Sequence, residues 1–144
     1  MPTREPAQIL LLDTHVWIWL VHKEPRILKS AALPAIEMAE ERGGLCLSAI
    51  SVWEVAMLAS KGRLKFTMDC STWVKRAMSQ PGLNLLALTP DILVSSTRLP
   101  GDLHGDPADR MIVAAALQHR ATLVTADDRL IEYAHQGHVN VLPV

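Results

Sequence analysis

Residues 9–13 of this chain read Ile9-Leu10-Leu11-Leu12-Asp13 and are the clearest indication of its fold class. Four apolar residues in a row, with no polar position among them, are typical of a short β-strand that is buried on both faces. Comparable apolar runs recur at residues 45–47, 83–88, 122–124 and 139–142. Helical patterns separate these runs, and strands that alternate with helices predict an α/β fold with a mainly parallel sheet and right-handed crossovers.

The helical segments begin and end at recognisable signals. Ser48 is suited to capping a helix, Pro107 to occupying a first turn, and Gly43-Gly44 to ending a helix. The predicted helices span residues 14–21, 30–42, 49–60, 69–80, 90–100, 107–120 and 127–135. No repeat, low-complexity tract or linker interrupts the pattern, so we expect one domain over residues 1–144, with residues 1–8 as a short N-terminal tail.

Composition excludes several classes of protein. Apolar residues make up 49% of the chain and charged residues 20%, which supports a folded core and argues against wholesale disorder. The N-terminus lacks the layout of a signal peptide, and the longest apolar run is too short to span a membrane. Cys46 and Cys70 show no metal-type pairing and are interpreted as reduced thiols. We therefore expect a cytoplasmic protein without membrane contact.

Two acidic residues lie where the apolar pattern requires no charge. Asp13 directly follows the first predicted strand, and functional sites of parallel α/β folds lie just past such strand ends. Asp13 could equally cap the helix that follows it. Glu54 lies within an otherwise almost wholly apolar helix, where a carboxylate is partly desolvated unless a metal ion or an arginine pairs with it. The alternative for Glu54 is the polar edge of an amphipathic helix.

Two turns that open predicted helices carry further acids. Asp106 suits the N-cap position of the first of these helices, and Asp109, three residues later, could complete a capping-box-like pair. In the second turn, Thr125 and Asp128 have the same spacing. That spacing explains Asp128 as a capping residue and leaves Asp127 as the candidate site residue of the turn.

Each of these acids has a structural explanation when it is taken alone, but the set suggests a metal site. If the acids meet at one edge of the sheet, their like charges repel and raise one another's pKa values. A cation relieves this repulsion, and hard oxygen ligands suit Mg²⁺ or Mn²⁺. The six histidines and two cysteines lack the spacing of a zinc site.

Four segments, in this order along the chain, resemble the PIN-domain family and, within it, the VapC-type toxins of bacterial toxin–antitoxin pairs. They are LLLDTH at residues 10–15, SAISVWE at 48–54, DPADRMIVAAA at 106–116 and LVTAD at 123–127. The resemblance implies an α/β/α sandwich around a parallel sheet and Mg²⁺- or Mn²⁺-dependent cleavage of RNA. It also implies a homodimer and a small antitoxin protein that blocks the site.

The resemblance assigns a role to each matching residue. Asp13, Glu54 and Asp109 match the three core acids of the family, Asp127 matches the fourth and more variable acid, and Thr125 matches its hydroxyl residue. The hypothesis is that the core acids hold one metal ion and that the fourth acid helps to hold a second ion or a water. The ion lowers the pKa of a bound water, so that hydroxide attacks the phosphorus in line.

The sequence also offers candidates outside this set. Asp106 matches an acid that is common in one branch of the family, although its capping position explains it equally. Fourteen Lys and Arg oppose fifteen Asp and Glu, so RNA contact requires a local basic surface. Residues 61–76 contain five cations, with Phe66 and Trp73 between them. This segment is either the phosphate-contact strip or an ordinary solvated surface. The cations are Lys61, Arg63, Lys65, Lys75 and Arg76. Arg110 could pair with a site carboxylate.

Two other function classes remain open. One is a non-catalytic PIN-like module that binds RNA or a protein, although such a module has no need to keep the full set of acids. The other is a phosphate-transferring domain of receiver or phosphatase type, which also carries an Asp at a strand end. The phosphatase pattern requires a second Asp where this chain has His15, and it gives Glu54 no role.

Overall fold

The apolar run at residues 9–12 supplies the central strand of the sheet. In the computed structural model, which describes residues 8–144, β1 (Leu10–Leu12) lies between β2 (Leu45–Ser48) and β4 (Thr122–Thr125). The edge strands are β3 (Leu83–Leu86) and β5 (Val141–Pro143), which gives the order β3-β2-β1-β4-β5. All four strand pairs are parallel, so the predicted mainly parallel sheet is confirmed.

Helices connect the strands and cover both faces of the sheet. Within residues 8–144 they are α1 (Thr14–Val21), α2 (Pro25–Leu28), α3 (Leu33–Glu41), α4 (Ala49–Ser60), α5 (Cys70–Met78), α6 (Pro90–Ser96), α7 (Pro107–His119) and α8 (Asp128–His135). The capping signal predicted at Ser48 is confirmed, because the Ser48 hydroxyl accepts a hydrogen bond from the backbone N–H of Ile50 at the start of α4.

The sheet separates two apolar cores, because successive residues of a strand point to opposite faces. Leu11 belongs to the core beneath α6, α7 and α8. Leu10 and Leu12 belong to the core beneath α1, α3 and α5. The α/β/α sandwich that the family resemblance implied is therefore confirmed.

Element boundaries differ from the prediction in a few places. The helix predicted over residues 30–42 is α3, which begins later because Pro34 occupies its first turn. The short helix α2 was not predicted, β3 ends two residues before the predicted end, and β5 begins two residues after the predicted start. Of the predicted tail at residues 1–8, only Gln8 lies within the described residues.

The strand order reverses beside β1, and this reversal determines where a site can form. From β1 the chain builds β2 and β3 on one side, then crosses to β4 and β5 on the other side. At such a switch point a crevice opens beyond the carboxyl ends of the two neighbouring strands. Here those ends carry Asp13, after β1, and Thr125, the last residue of β4. None of the helices described within residues 8–144 has the length and apolarity to cross a membrane.

Candidate active site

Asp13 links the two central strands at this crevice. Its side chain is buried, with 7% of its surface exposed. Oδ1 accepts a hydrogen bond from the backbone N–H of Thr14 at 2.8 Å, and Oδ2 accepts one from the Thr125 hydroxyl at 2.6 Å. Burial raises the pKa of the Asp13 carboxyl, and the Thr125 hydroxyl offsets only part of that rise. Asp13 is thus both the N-cap of α1 and a buried carboxylate of the crevice.

Glu54 reaches the same crevice from α4. Its carboxylate accepts a hydrogen bond from the Thr14 hydroxyl, which also lies 2.8 Å from the hydroxyl of the fully buried Ser51. Because Thr14 has one hydroxyl proton, Ser51 donates to Thr14 when Thr14 donates to Glu54. Burial raises the pKa of Glu54 to about 7, and the negative charges of Asp109 and Asp13 add to the rise.

Asp109 lies in the first turn of α7 and pairs with a histidine. His104 Nε2 is 2.7 Å from Asp109 Oδ2, and burial raises the pKa of Asp109 although this hydrogen bond offsets part of the effect. Asp106 is the N-cap of α7, because its Oδ1 accepts the backbone N–H of Asp109 at 3.0 Å. The cap predicted at Asp106 is confirmed. The capping role predicted for the Asp109 side chain is wrong, because that side chain turns to His104.

Asp127 lies at the edge of the crevice and differs from the other three acids. It is the N-cap of α8 and accepts hydrogen bonds from the backbone N–H groups of Arg129 and Leu130. The Arg129 guanidinium lies 3.4 Å from Asp127 Oδ2. Partial burial acts to raise the pKa of Asp127, but the hydrogen bonds and charge of Arg129 outweigh it and lower the pKa.

The sequence predicted Asp128 as the capping residue of the turn before α8, and this prediction was wrong. Asp127 caps the helix itself, and Asp128 is exposed in the first turn. The Thr125 hydroxyl accepts the backbone N–H of Asp127 at 3.0 Å and donates its proton to Asp13. Thr125 is fully buried, so it joins the α8 turn to the central carboxylate.

One cavity of about 310 Å³ collects these side chains, and we call it the carboxylate cavity. Its walls include the four acids that the resemblance assigns to metal binding, together with Asp106. The lining residues are Asp13, His15, Trp19, Arg26, Glu54, Asp106, Asp109, Ala126, Asp127 and Arg129. The acids therefore meet at one edge of the sheet, and two arginines lie beside them.

The acids suit a hard cation by charge and by donor type. Asp13 and Glu54 accept hydrogen bonds from hydroxyl and backbone groups but form no ion pair among residues 8–144. Desolvated carboxylates without a counter-charge are costly, and their oxygens are the ligands that Mg²⁺ and Mn²⁺ prefer. Within the same residues, no three Asp, Glu, His or Cys side chains already surround a common centre. The carboxylates face the hydroxyls of Thr14 and Thr125, yet each bonded oxygen keeps a second lone pair.

Sequence reasoning missed Thr14, His104 and Arg26, which belong to this site. Thr14 directly follows Asp13, so its position was a usable signal. His104 lies five residues before Asp109 and was considered only as a zinc ligand, which its spacing excluded, and its side chain is only 16% exposed. Arg26 comes from the unpredicted helix α2, and nothing in the sequence marked it.

Arg110 does not pair with a carboxylate, which corrects the sequence expectation. Its guanidinium donates to the backbone carbonyl oxygens of Ser96 at 2.8 Å and Leu103 at 2.9 Å. Arg110 thus holds the end of α6 and the loop before α7. Those contacts support the α7 turn that carries the site acids.

The predicted phosphate-contact strip lies away from the carboxylate cavity. All five of its cations are exposed, and none lines that cavity. Lys65 and Arg76 line a second cavity, whereas the other three line neither. Trp73 is not an exposed platform, because it is only 5% exposed. Phe66 is half-buried, stacks on Trp73 and lines the second cavity.

Comparison with known proteins finds relatives over nearly the whole chain. The PIN domain family model matches residues 10–136. Ribonuclease VapC22 of Mycobacterium tuberculosis is 37% identical over 132 residues, which cover 92% of this chain and 97% of that protein.

Solved structures share the fold. One is VapBC2 from Rickettsia felis bound to a DNA fragment from their promoter, with a TM-score of 0.70, 18% identity and coverage of 94% of this chain and 98% of that one. Another is the DNA-bound VapBC from Salmonella typhimurium, with a TM-score of 0.64, 16% identity and the same two coverages, 94% and 98%. At these identities the likeness concerns the fold alone.

Proposed function

The chain belongs to the PIN domain family, and on that premise we propose that it is a metal-dependent endoribonuclease that hydrolyses RNA phosphodiester bonds. One observation carries the proposal. Asp13, Glu54 and Asp109 come from three separate elements, all have raised pKa values through burial, and none is paired with Lys or Arg among residues 8–144. We call these three carboxylates the inner wall. The relative from Mycobacterium tuberculosis, which carries the name ribonuclease, supports the same reaction class.

The inner wall is the proposed binding place for Mg²⁺ or Mn²⁺. Asp13, Glu54 and Asp109 hold the ion directly or through water, and Asp127 helps to hold a second ion or a water. When bound, such an ion supplies a Lewis acid and a water of lowered pKa for attack on phosphorus.

The protein's own residues prepare this place and attract the substrate. The hydroxyls of Thr125 and Thr14 orient the carboxylates of Asp13 and Glu54. Arg26 is exposed at the carboxylate cavity and has no carboxylate within 4.0 Å among residues 8–144. Its positive charge offsets the repulsion between the acids and the phosphates of an approaching RNA.

We further propose that the chain is the toxin of a VapBC-type pair and acts in the cytoplasm. The solved structures that share its fold carry VapBC names. An antitoxin and a second copy of the chain are the proposed partners. Several large apolar side chains are exposed and available for such contacts, among them Trp53 at 52% and Val94 at 50%.

The decisive test is RNA cleavage with matched acid variants. We expect the purified protein to cleave single-stranded RNA with Mg²⁺ or Mn²⁺ and to stop when EDTA is added. Asp109→Asn removes an inner-wall charge and abolishes most of this activity. Asp128→Asn removes the same charge from an exposed position outside the carboxylate cavity and leaves activity unchanged. Full cleavage in EDTA, or by Asp109→Asn, contradicts the proposal.

The alternative of a non-catalytic PIN-like module has one observation in its favour. Among residues 8–144, the acids do not yet surround a common centre. A metal titration separates the two functions, because an ion that binds only the folded state raises the melting temperature as its concentration rises. No shift with Mg²⁺ or Mn²⁺ favours the module.

A further inference from the structure

One face of α1 leads away from the carboxylate cavity. His15, Trp19 and His22 have the spacing that places side chains on one face of a helix. His15 and Trp19 line the carboxylate cavity, with their ring centroids 6.3 Å apart. The Arg26 guanidinium lies 4.3 Å from the centroid of the Trp19 ring. This face therefore carries aromatic surface and positive charge directly beside the acids.

A second cavity lies at the other end of α1, and we call it the aromatic cavity. Its volume is about 610 Å³, and His22, Phe66 and Trp73 are among its walls. Phe66 stacks on Trp73 with the ring centroids 4.6 Å apart, and the His22 ring meets both edge-on. At about 1.5 Å per helical residue, His22 lies roughly 13 Å from Asp13 along the axis of α1.

The aromatic cavity is positively charged. Lys23, Lys65 and Arg76 are exposed and line it. Within residues 8–144, no Asp or Glu lines it, and none of the three cations has a carboxylate within 4.0 Å. A polyanion with flat apolar groups complements such a surface, because its phosphates meet the cations and its bases meet the rings.

We propose that the face of α1 and the aromatic cavity form one track for single-stranded RNA on one side of the scissile phosphate. A base stacks on Trp19, a further base enters against Phe66, and the phosphates beyond it contact Lys65 and Arg76. This proposal deepens the proposed ribonuclease function and rests on it. The α1 helix and the residues that follow it border both cavities, because Trp19 lines the carboxylate cavity and His22 lines the aromatic cavity. This adjacency favours RNA over an acidic protein segment as the occupant.

Binding is measured by fluorescence anisotropy with a labelled ten-nucleotide single-stranded RNA. All proteins carry Asp13→Asn, so that cleavage does not disturb the measurement. The test protein adds Lys65→Ala and Arg76→Ala. The control adds Lys29→Ala and Arg98→Ala, which remove the same charge, also one Lys and one Arg, from exposed positions outside both cavities and outside residues 61–76.

The track predicts different outcomes for the two pairs. Lys65→Ala with Arg76→Ala raises Kd about tenfold and lowers the slope of log Kd against log salt by about 1.4. Each lost phosphate contact on a single strand contributes about 0.7 to this slope, and two contacts are lost. The control pair changes Kd by less than threefold and leaves the slope unchanged. In proteins that retain Asp13, the same two substitutions raise KM for this RNA by a similar factor.

The two proposals fail in different ways. Equal RNA affinities of the test and control proteins overturn the track and favour an acidic protein segment as the occupant of the aromatic cavity. Unequal affinities, with no RNA cleavage by the unmodified protein under any metal condition, support the track and contradict the ribonuclease proposal.

Discussion

The inner wall and the rim of the carboxylate cavity both contain carboxyl groups, but the pKa values of these groups are shifted in opposite directions. On the inner wall, burial raises the pKa values of Asp13, Glu54 and Asp109. On the rim, which consists of Asp127 and Arg129, the guanidinium lowers the pKa of the carboxyl. Both regions lie at the same end of the sheet and line the same cavity.

The difference shows that burial and the lack of a counter-charge together separate the two states. Asp127 already has an arginine and two backbone N–H groups as partners. Asp13 and Glu54 have only neutral donors. The inner wall thus lacks a positive counter-charge, which a divalent cation supplies, whereas Asp127 on the rim already has the charge of Arg129 beside it.

The largest expected effect compares one acid from each region. Asp13→Asn removes a proposed ligand at the centre of the inner wall, and we expect RNA cleavage to fall about a thousandfold, which corresponds to several kcal/mol of lost metal-dependent stabilisation. Asp127→Asn is expected to lower cleavage about tenfold, because the rim contributes a more distant contact. Single-turnover cleavage at saturating Mg²⁺ measures both. Equal losses in the two variants would falsify the distinction between the regions.

A smaller effect tests how the inner wall is held. Thr125→Val removes the hydroxyl that donates to Asp13, and a hydrogen bond to a charged group contributes about 1.5–3 kcal/mol. We expect cleavage to fall about ten- to a hundredfold and Mg²⁺ affinity to weaken. Thr125→Ser keeps the hydroxyl and is the matched control. The role assigned to the hydroxyl is wrong if Ser and Val behave alike.

Stability without metal should change in opposite directions in the two regions. In EDTA at pH 8, Glu54→Gln relieves a desolvated charge and raises the free energy of unfolding. Asp127→Ala removes the N-cap of α8 and lowers the free energy of unfolding by about 1 kcal/mol. Urea unfolding measures both. With Mg²⁺ present, the advantage of Glu54→Gln should disappear, and an advantage that persists contradicts the assignment of Glu54 as a ligand.

A further effect is a dependence of stability on pH. The pKa of Glu54 is about 7 in the folded protein against a usual 4.5, so between these values the folded state binds more protons than the unfolded state. In EDTA, the contribution of Glu54 to stability is therefore complete below pH 4.5 and is lost as the pH rises through about 7. The lowered pKa of Asp127 acts in the opposite sense, and its contribution is lost in acid. Urea unfolding across this range should show a shallower decline for Glu54→Gln.

The sequence predicted the sheet and the meeting of the acids because both depend on local pattern and on one topological rule. Apolar runs marked all five strands, and acids after those strands were expected at one edge. The start of α3 was missed because Pro34 occupies its first turn, and α2 was missed because four residues are too few to show an apolar periodicity. The five strip cations were expected together, but only Lys65 and Arg76 line a cavity.

Local patterns along the chain were enough to predict the fold class, the family and the identity of the candidate acids. The partners of those acids depend on how the elements pack. Thr14 bonds to Glu54 across 40 positions, and Thr125 bonds to Asp13 across 112. Periodicity and capping reach only a few residues along the chain, so they cannot foresee contacts made by packing. Burial and counter-charge are likewise properties of the packed protein, and they divide identical carboxylates into an inner wall and a rim.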